Sequence, residues 1–318
     1  MFIGKNARRI RGAGGLQHNK GCSRRVQWWV CIFVCQIMLP EKLNVDLHCH
    51  STVSDGVLAP ADVAIRAKSN GVDVWALTDH DEIRGIPEAR EAALDLGMRF
   101  ITGLEISVTW AGHTIHIVGL NVDETNEELL RGLEMTRSGR QLRAEDMAAE
   151  LAKVGIPNVY QGALKYVGNP DLISRSHFAR YLVEIGVCED ISAVFKKYLT
   201  EGKPGFVPHR WATLSEAVGW IRRSGGVAVV AHPGRYNLSP VAFDAFFREF
   251  KVYGGSAIEV VTGSHTVDQF YEYTKVANRY GFAGSRGSDF HSPDDKSADL
   301  GRLPPLAKSL TPVWADWF

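Results

Sequence analysis

From Asn44 onward the chain alternates short apolar runs with stretches whose apolar residues recur at helical spacing. The runs predict strands at 44–48, 72–78, 99–104, 113–120, 227–231, 257–261 and 282–285. Several are almost continuously apolar, as parallel strands buried on both faces are. Helices fall between them with readable ends: Pro60 stands in a first turn with Gly71 after the last, and Pro87 and Gly97 bracket the next. The stretch 123–223 breaks the rhythm. It reads as helix and loop alone, with helices at 124–134, 140–153, 175–185, 191–199 and 214–224. Seven strands with crossover helices predict an α/β barrel over 42–122 and 224–318, carrying 123–223 as a helical insertion that forms part of the substrate pocket.

Residues 1–41 fit neither pattern. They are rich in Arg, Lys and Gly and then apolar over 28–35. Basic residues before an apolar run resemble a secretory signal, but no small-x-small cleavage site follows and the run is too short to span a bilayer. The expectation is a non-domain extension, with translation starting at Met38.

Composition narrows the class only a little. The 318 residues carry 36 basic and 36 acidic side chains and are 45% hydrophobic, as in a soluble globular chain with no nucleic-acid-coating excess of charge. The five cysteines show no paired spacing, which points to a reducing, cytoplasmic setting. Neither a membrane nor an obligate protein partner is expected.

Candidate chemistry gathers where the strands end, the place barrels put it. Asp46, His48 and His50 close the first strand, with Asp55 on the following turn. His48 and His50, two apart, share a face. Thr78-Asp79-His80-Asp81 ends the second strand and Glu105 follows the third. His116 lies in the fourth, His232-Pro233-Gly234-Arg235 ends the next, Glu259 lies in the sixth, and Asp289 and His291 follow the last. Singly, each is as well explained by a polar turn or a satisfied core residue. Together they would bury many charges without compensation unless they hold metal. Imidazoles mixed with carboxylates suit Mn²⁺, Zn²⁺ or Fe²⁺, and such an ion makes water a nucleophile at neutral pH. Cys49, between two of these histidines, points the other way and reads as a small buried hydrophobe. His209 and His265 have no evident partner.

The segments DLHCHSTVSDG, TDHD, GLEIS, AHPGRY and GSDFHSP resemble, in order, the motifs of the PHP (polymerase and histidinol phosphatase) family of metal-dependent phosphoesterases, over about 42 to the C-terminus. The resemblance implies a distorted (β/α)7 barrel with two to three divalent ions, Mn²⁺ first among them. It implies His48, His50, Glu105 and Asp289 on one ion, Asp55, His80 and His291 on a second, and His116 and His232 with bridging Glu105 on a third. Within the insertion, residues 173–180 and 198–208 are similar to a subgroup of 3′,5′-nucleoside bisphosphate phosphatases and 5′→3′ exoribonucleases. This implies a small nucleotide or short RNA as substrate, with Arg175, His177, Arg180 and Arg235 as its phosphate contacts. Asp79 and His177 are the candidates for the leaving-group acid. The alternatives are a phosphatase for another small monoester or cyclic phosphodiester, and a metal-stabilised binding module without turnover.

Overall fold

The computed structural model describes residues 43–209, 211–294 and 299–318. The extension expected over 1–41, with its apolar run and Met38, lies outside the described residues. Seven strands form one sheet in sequence order: β1 (Val45–Asp46), β2 (Val74–Leu77), β3 (Arg99–Trp110), β4 (His113–Leu120), β5 (Val227–Val230), β6 (Ala257–Thr262) and β7 (Ala283–Gly287). The sheet curls until its edges meet. Leu47 N donates to Arg286 O at 3.0 Å, Asp289 N to His48 O at 2.8 Å and His50 N to Phe290 O at 2.9 Å. This meeting needs a glycine. A Cβ on Gly287 would stand 2.3 Å from Cβ of His48 and 2.6 Å from its backbone nitrogen.

The barrel is not uniformly parallel. β4 runs antiparallel to both neighbours. Only Ala111 and Gly112 link it to β3, both at positive φ (46° and 82°). So tight a hairpin turn leaves no room for a crossover helix. The same hairpin carries β3 to Trp110, past the end at 104 that its apolar run suggests, because pairing continues to Trp110 against His113.

The described residues form ten α-helices: α1 (Pro60–Ser69), α2 (Ile86–Asp95), α3 (Glu127–Ser138), α4 (Arg140–Lys153), α5 (Val159–Leu164), α6 (Arg175–Glu184), α7 (Ile191–Val194), α8 (Leu214–Arg223), α9 (Pro240–Val252) and α10 (Val267–Tyr280). The stretch 123–223 is not one packing unit. Leu129 and Leu133 of α3 and Leu214, Val218 and Ile221 of α8 join Ile106, Ile117, Val230 and Phe250 in the main barrel core. The segment between them has its own core, with Met147, Leu151, Phe178, Leu182 and Leu199. At about 1.5–3 kcal/mol for each large apolar side chain buried, this second core can hold the insertion's helices to one another.

Two local features differ from the periodic reading. The six-residue helix α5 was not expected; Gly162 on it lets the ring of Tyr181 from α6 approach to van der Waals distance. The helix expected over 191–199 is one α-helical turn followed by a π-helical turn, Phe195–Leu199.

Candidate metal centre and cavity

The loop after β1 delivers His48 and His50, and their Nε2 atoms face each other at 3.2 Å. Glu105, midway along the extended β3, lies among five imidazoles. Its Oε1 is 3.1 Å from His116 Nδ1 and 3.0 Å from His232 Nε2. Its Oε2 is 3.0 Å from His80 Nδ1 and 3.4 Å from Nε2 of both His48 and His50. Asp289 Oδ1 lies 3.3 Å from His50 Nε2 and 3.5 Å from His48 Nε2. Asp55 Oδ1 lies 3.3 Å from His291 Nε2 and 3.9 Å from His80 Nε2. All nine residues proposed from the sequence as ligands thus meet at one end of the barrel. His116 reaches it from mid-strand because β4 runs backwards, so the early part of that strand is level with the carboxyl ends of its neighbours. Backbone strain marks the same place: His232, Asp289 and Asp81 adopt φ of 25°, 56° and 51°. Non-glycine residues hold such angles only where their surroundings over-determine them.

The donor set fits a cation. Asp55, Glu105 and Asp289 are deeply buried, which alone would raise their pKa values. The surrounding imidazoles outweigh burial and hold all three well below the usual carboxylate range. Burial, with His291 and His80 beside it, pushes His50 down to about 3, and burial with Arg235 nearby pushes His232 down to about 3. Anionic carboxylates therefore stand beside His50 and His232, which are neutral with lone pairs to give, whereas against the effect of burial the facing carboxylates push His48 and His80 up and His291 up to about 9. Among the described residues, buried Asp55 Oδ1, Glu105 Oε2 and Nδ1 of His50, His80 and His232 make no well-aligned hydrogen bond, although imidazoles and carboxylates crowd around them. Orphaned polar atoms at this density are rare in native proteins unless an ion or water takes them.

Donor atoms within 4.8 Å of one another form four overlapping groups: His50, Asp55, His80 and His291; His48, His232 and Asp289; His48, His50 and Glu105; and His80, Glu105 and His116. The three sets implied by the resemblance are recognisable but shared differently, with His50 beside the Asp55 set and His232 beside Asp289.

One carboxylate was noted in the sequence without a role. Glu259, within apolar β6, takes His48 Nδ1–H at 2.8 Å on Oε1 and the His232 N–H at 2.6 Å on Oε2. It thereby turns the Nε2 lone pair of His48 into the cluster. The signal was a lone acid inside an otherwise apolar strand. His265, for which the sequence suggested no partner, accepts the Gly234 N–H at 2.9 Å on Nε2 and so steadies the turn after His232.

A cavity opens over the cluster. Asp55, His80, Glu105, His116, His232, Asp289 and His291 line it, together with Arg140, Arg143, Arg175 and Arg235, the rings of Phe195 and Trp211, and small hydroxyl side chains. Arg175 and Arg235 therefore reach the cavity as expected from the sequence. Arg140, Arg143, Phe195 and Trp211 were not foreseen, because nothing in the local pattern of α4 or the following loops separates an inward Arg from a solvated one.

Three of the expected roles meet a different geometry. Asp79 is buried and bound up with the loop before Asp55: Oδ1 accepts from Ser51 N at 2.8 Å and Ser54 Oγ at 2.6 Å, and Oδ2 from Ser51 Oγ at 2.7 Å. His177 is fully buried at the third position of α6, where its Nδ1 accepts the Ser174 N–H at 2.9 Å. Burial pushes it down to about 4. Arg180 donates to the carbonyls of Asp55 and Gly56. None of the three lines the cavity. Asp79 and His177, expected as candidates for the leaving-group acid, thus lie outside the cavity lining among hydrogen bonds to the Ser51–Ser54 loop and the start of α6, and Arg180, expected as a phosphate contact, meets backbone carbonyls. Arg175 and His177, two apart, diverge on the helix, so only one of them can face the cavity.

A barrel mouth that gathers six imidazoles and three carboxylates able to bind metal has the architecture of a metal-dependent hydrolase. The PHP domain pattern matches residues 46–141. The chain is 45% identical over 273 residues to the 3′,5′-nucleoside bisphosphate phosphatase of Chromobacterium violaceum, covering 86% of this chain and 96% of that one. It is 43% identical over 269 residues to a 5′-3′ exoribonuclease of Haemophilus influenzae, covering 85% and 97%. A solved structure of an amidohydrolase from Chromobacterium violaceum, with bound sulfate and no metal, superposes with a TM-score of 0.83 at 45% identity, over 85% of this chain and 94% of that one. The chain belongs to the PHP family of metal-dependent phosphoesterases. It is an enzyme of the phosphoric ester hydrolase class.

Proposed function

We propose that this enzyme removes the 3′-phosphate from nucleoside 3′,5′-bisphosphates of the pAp type, and that the same cavity serves 5′→3′ cleavage of short 5′-phosphorylated RNA. The observation that supports this best is one cavity lined both by residues of a metal-binding cluster and by four arginines. A substrate with one phosphate to cut and another to hold matches that division. The relatives named for these two activities are similar over nearly their whole length.

His48, His50, Asp55, His80, Glu105, His116, His232, Asp289 and His291 are the residues we assign to two or three divalent ions, with Mn²⁺ the first choice. Bound there, the ions would supply a water nucleophile at neutral pH and neutralise charge on the phosphoryl oxygens. The chain's own part is orientation. Glu259 fixes the ring of His48, Asp79 orders the Ser51–Ser54 loop that presents Asp55, and Arg180 clamps the backbone of Asp55 and Gly56. Arg235 donates to Asp289 Oδ2 at 2.9 Å, which sets it between the cluster and the open cavity. Arg175, at the first position of α6, faces the cavity while His177 caps the helix behind it.

Among the described residues, no helix is long and apolar enough to cross a membrane. Cys49 and Cys188 are unpaired. The unpaired thiols suit the reducing, cytoplasmic setting we propose. The test is a substrate screen with Mn²⁺, comparing pAp, 5′-AMP, 3′-AMP and short 5′-phosphorylated RNA. No phosphate from pAp and no shortening of the RNA would sink the proposal.

A further inference from the structure

A second cavity, of about 300 Å³, opens between α9 and α10 and shares no lining residue with the one over the metal cluster. Its size falls at the lower end of pockets that take small molecules, roughly 300–1,000 Å³. Four aromatic rings line it, Phe243 and Phe247 from α9 and Tyr273 and Tyr280 from α10. Phe243 and Phe247 stack with centroids 5.5 Å apart, and Tyr280 tilts against Phe247 at 5.3 Å. The charged groups of the lining are unequally matched. Asp244 accepts from Arg248 Nε at 2.7 Å and from the Tyr280 hydroxyl, and Arg279 Nη2 stands 3.5 Å from it. Arg279, the one cationic side chain in the lining, is thus spent on Asp244. Glu272 lines the cavity with no cationic partner among the described residues. Tyr273 is only 5% exposed, yet its hydroxyl makes no hydrogen bond among the described residues. A buried tyrosine hydroxyl ordinarily finds a partner.

We propose that this cavity is a binding site for a small organic cation, a protonated alkyl- or arylamine, separate from the metal centre. Three features select that chemistry. Aromatic ring faces carry the negative lobe of the quadrupole and attract an ammonium group placed over them. The Glu272 carboxylate offers a counter-charge that no described side chain takes up. The Tyr273 hydroxyl oxygen can accept an ammonium N–H, where now it has no partner. An anion would meet ring faces and a carboxylate, and a neutral apolar guest would leave both Glu272 and the Tyr273 hydroxyl unanswered. The site adjoins the catalytic end of the barrel. Tyr273 stacks on the His265 ring with centroids 4.8 Å apart, and His265 Nε2 accepts the Gly234 N–H at 2.9 Å. An occupant against Tyr273 therefore lies two contacts from the turn that carries His232 and Arg235.

The test is a calorimetric titration of the full-length, Mn²⁺-loaded protein with phenethylammonium and with its uncharged counterpart 2-phenylethanol. Metal loading keeps the amine from the acidic groups of the cluster. Wild type is expected to bind one phenethylammonium per chain, about tenfold more tightly than the alcohol. Phe243→Leu keeps apolar bulk but removes a ring face, and is expected to weaken the ammonium by about fivefold and the alcohol less. Tyr273→Phe is expected to weaken the ammonium by about fivefold, and Glu272→Gln by about threefold. Glu272 is exposed and Tyr273→Phe keeps its ring, so these two variants retain the fold. If the alcohol binds as tightly as the ammonium, the cavity is only an apolar groove and the proposal is overturned. It is equally overturned if wild type binds neither ligand, or if all three variants bind phenethylammonium as wild type does.

Discussion

In the ligand cluster every carboxylate is answered several times over. Glu105 alone meets five imidazoles within 3.4 Å. On the arginine wall a few residues away, two of four guanidiniums have a carboxylate and two do not. The cluster rides on strands and the loops that leave them, locked by the barrel's hydrogen bonds. Most of the wall comes from α4, α6 and the π-helical turn, which pack on a separate hydrophobic core. The difference separates two jobs. The cluster is preorganised for a cation and for chemistry that every substrate shares. In the function proposed above, the wall meets the part of the substrate that differs from one phosphate ester to another.

The comparison can be broken at several points. Replacing a ligand should hurt most and hurt all substrates alike. Asp289→Ala, or stripping the ions with a chelator, should cost more than the roughly 10–100-fold typical of outer-shell changes, measured as kcat/KM on both pAp and an aryl phosphate; retained activity would remove Asp289 from the site. Glu259→Gln comes next. It keeps size but weakens the hold on His48, and metal affinity should fall by about 10–100-fold in a titration followed by calorimetry. Arg175→Ala should act on the wall alone. Its KM for a bisphosphate should rise by about tenfold, with a smaller change for the aryl phosphate, and equal changes would place Arg175 outside the phosphate-binding wall. The smallest effect is expected from Arg180→Lys, which keeps the charge while loosening the grip on the Asp55 and Gly56 carbonyls. It should lower kcat by a few-fold for both substrates, in line with a few tenths to about 1.5 kcal/mol for such a hydrogen bond; a bisphosphate-specific effect would move Arg180 onto the wall.

Much of the barrel was legible because strand alternation and Pro or Gly punctuation are local signals. The reversal of β4 was not. Periodicity says where a strand is, not which way it runs, and only the two-residue link at Ala111-Gly112 decides that. All nine candidate ligands were readable because each follows or interrupts an apolar run with a polar residue that burial would penalise. Glu259 gave the same signal, but its role required knowing that β6, between β5 and β7, brings it within reach of His48 and His232. Asp79 and His177 looked reactive for their residue type and their closeness to the motifs. In space their hydrogen bonds go to Ser51, Ser54 and Ser174, away from the cavity.

The sequence by itself determined a seven-stranded α/β barrel, a helical segment interrupting it, and a set of imidazoles and carboxylates spaced to converge at strand ends. These follow from short-range periodicity and from the high cost of burying charge without a partner. Only the tertiary structure decided which arginines are free. Arg140, Arg143, Arg175 and Arg180 read alike along the chain, since pairing depends on a carboxylate or carbonyl contributed from elsewhere in the fold. Asp81 answers Arg140, the Asp55 loop takes Arg180, and Arg143 and Arg175 line the cavity with no carboxylate partner among the described residues.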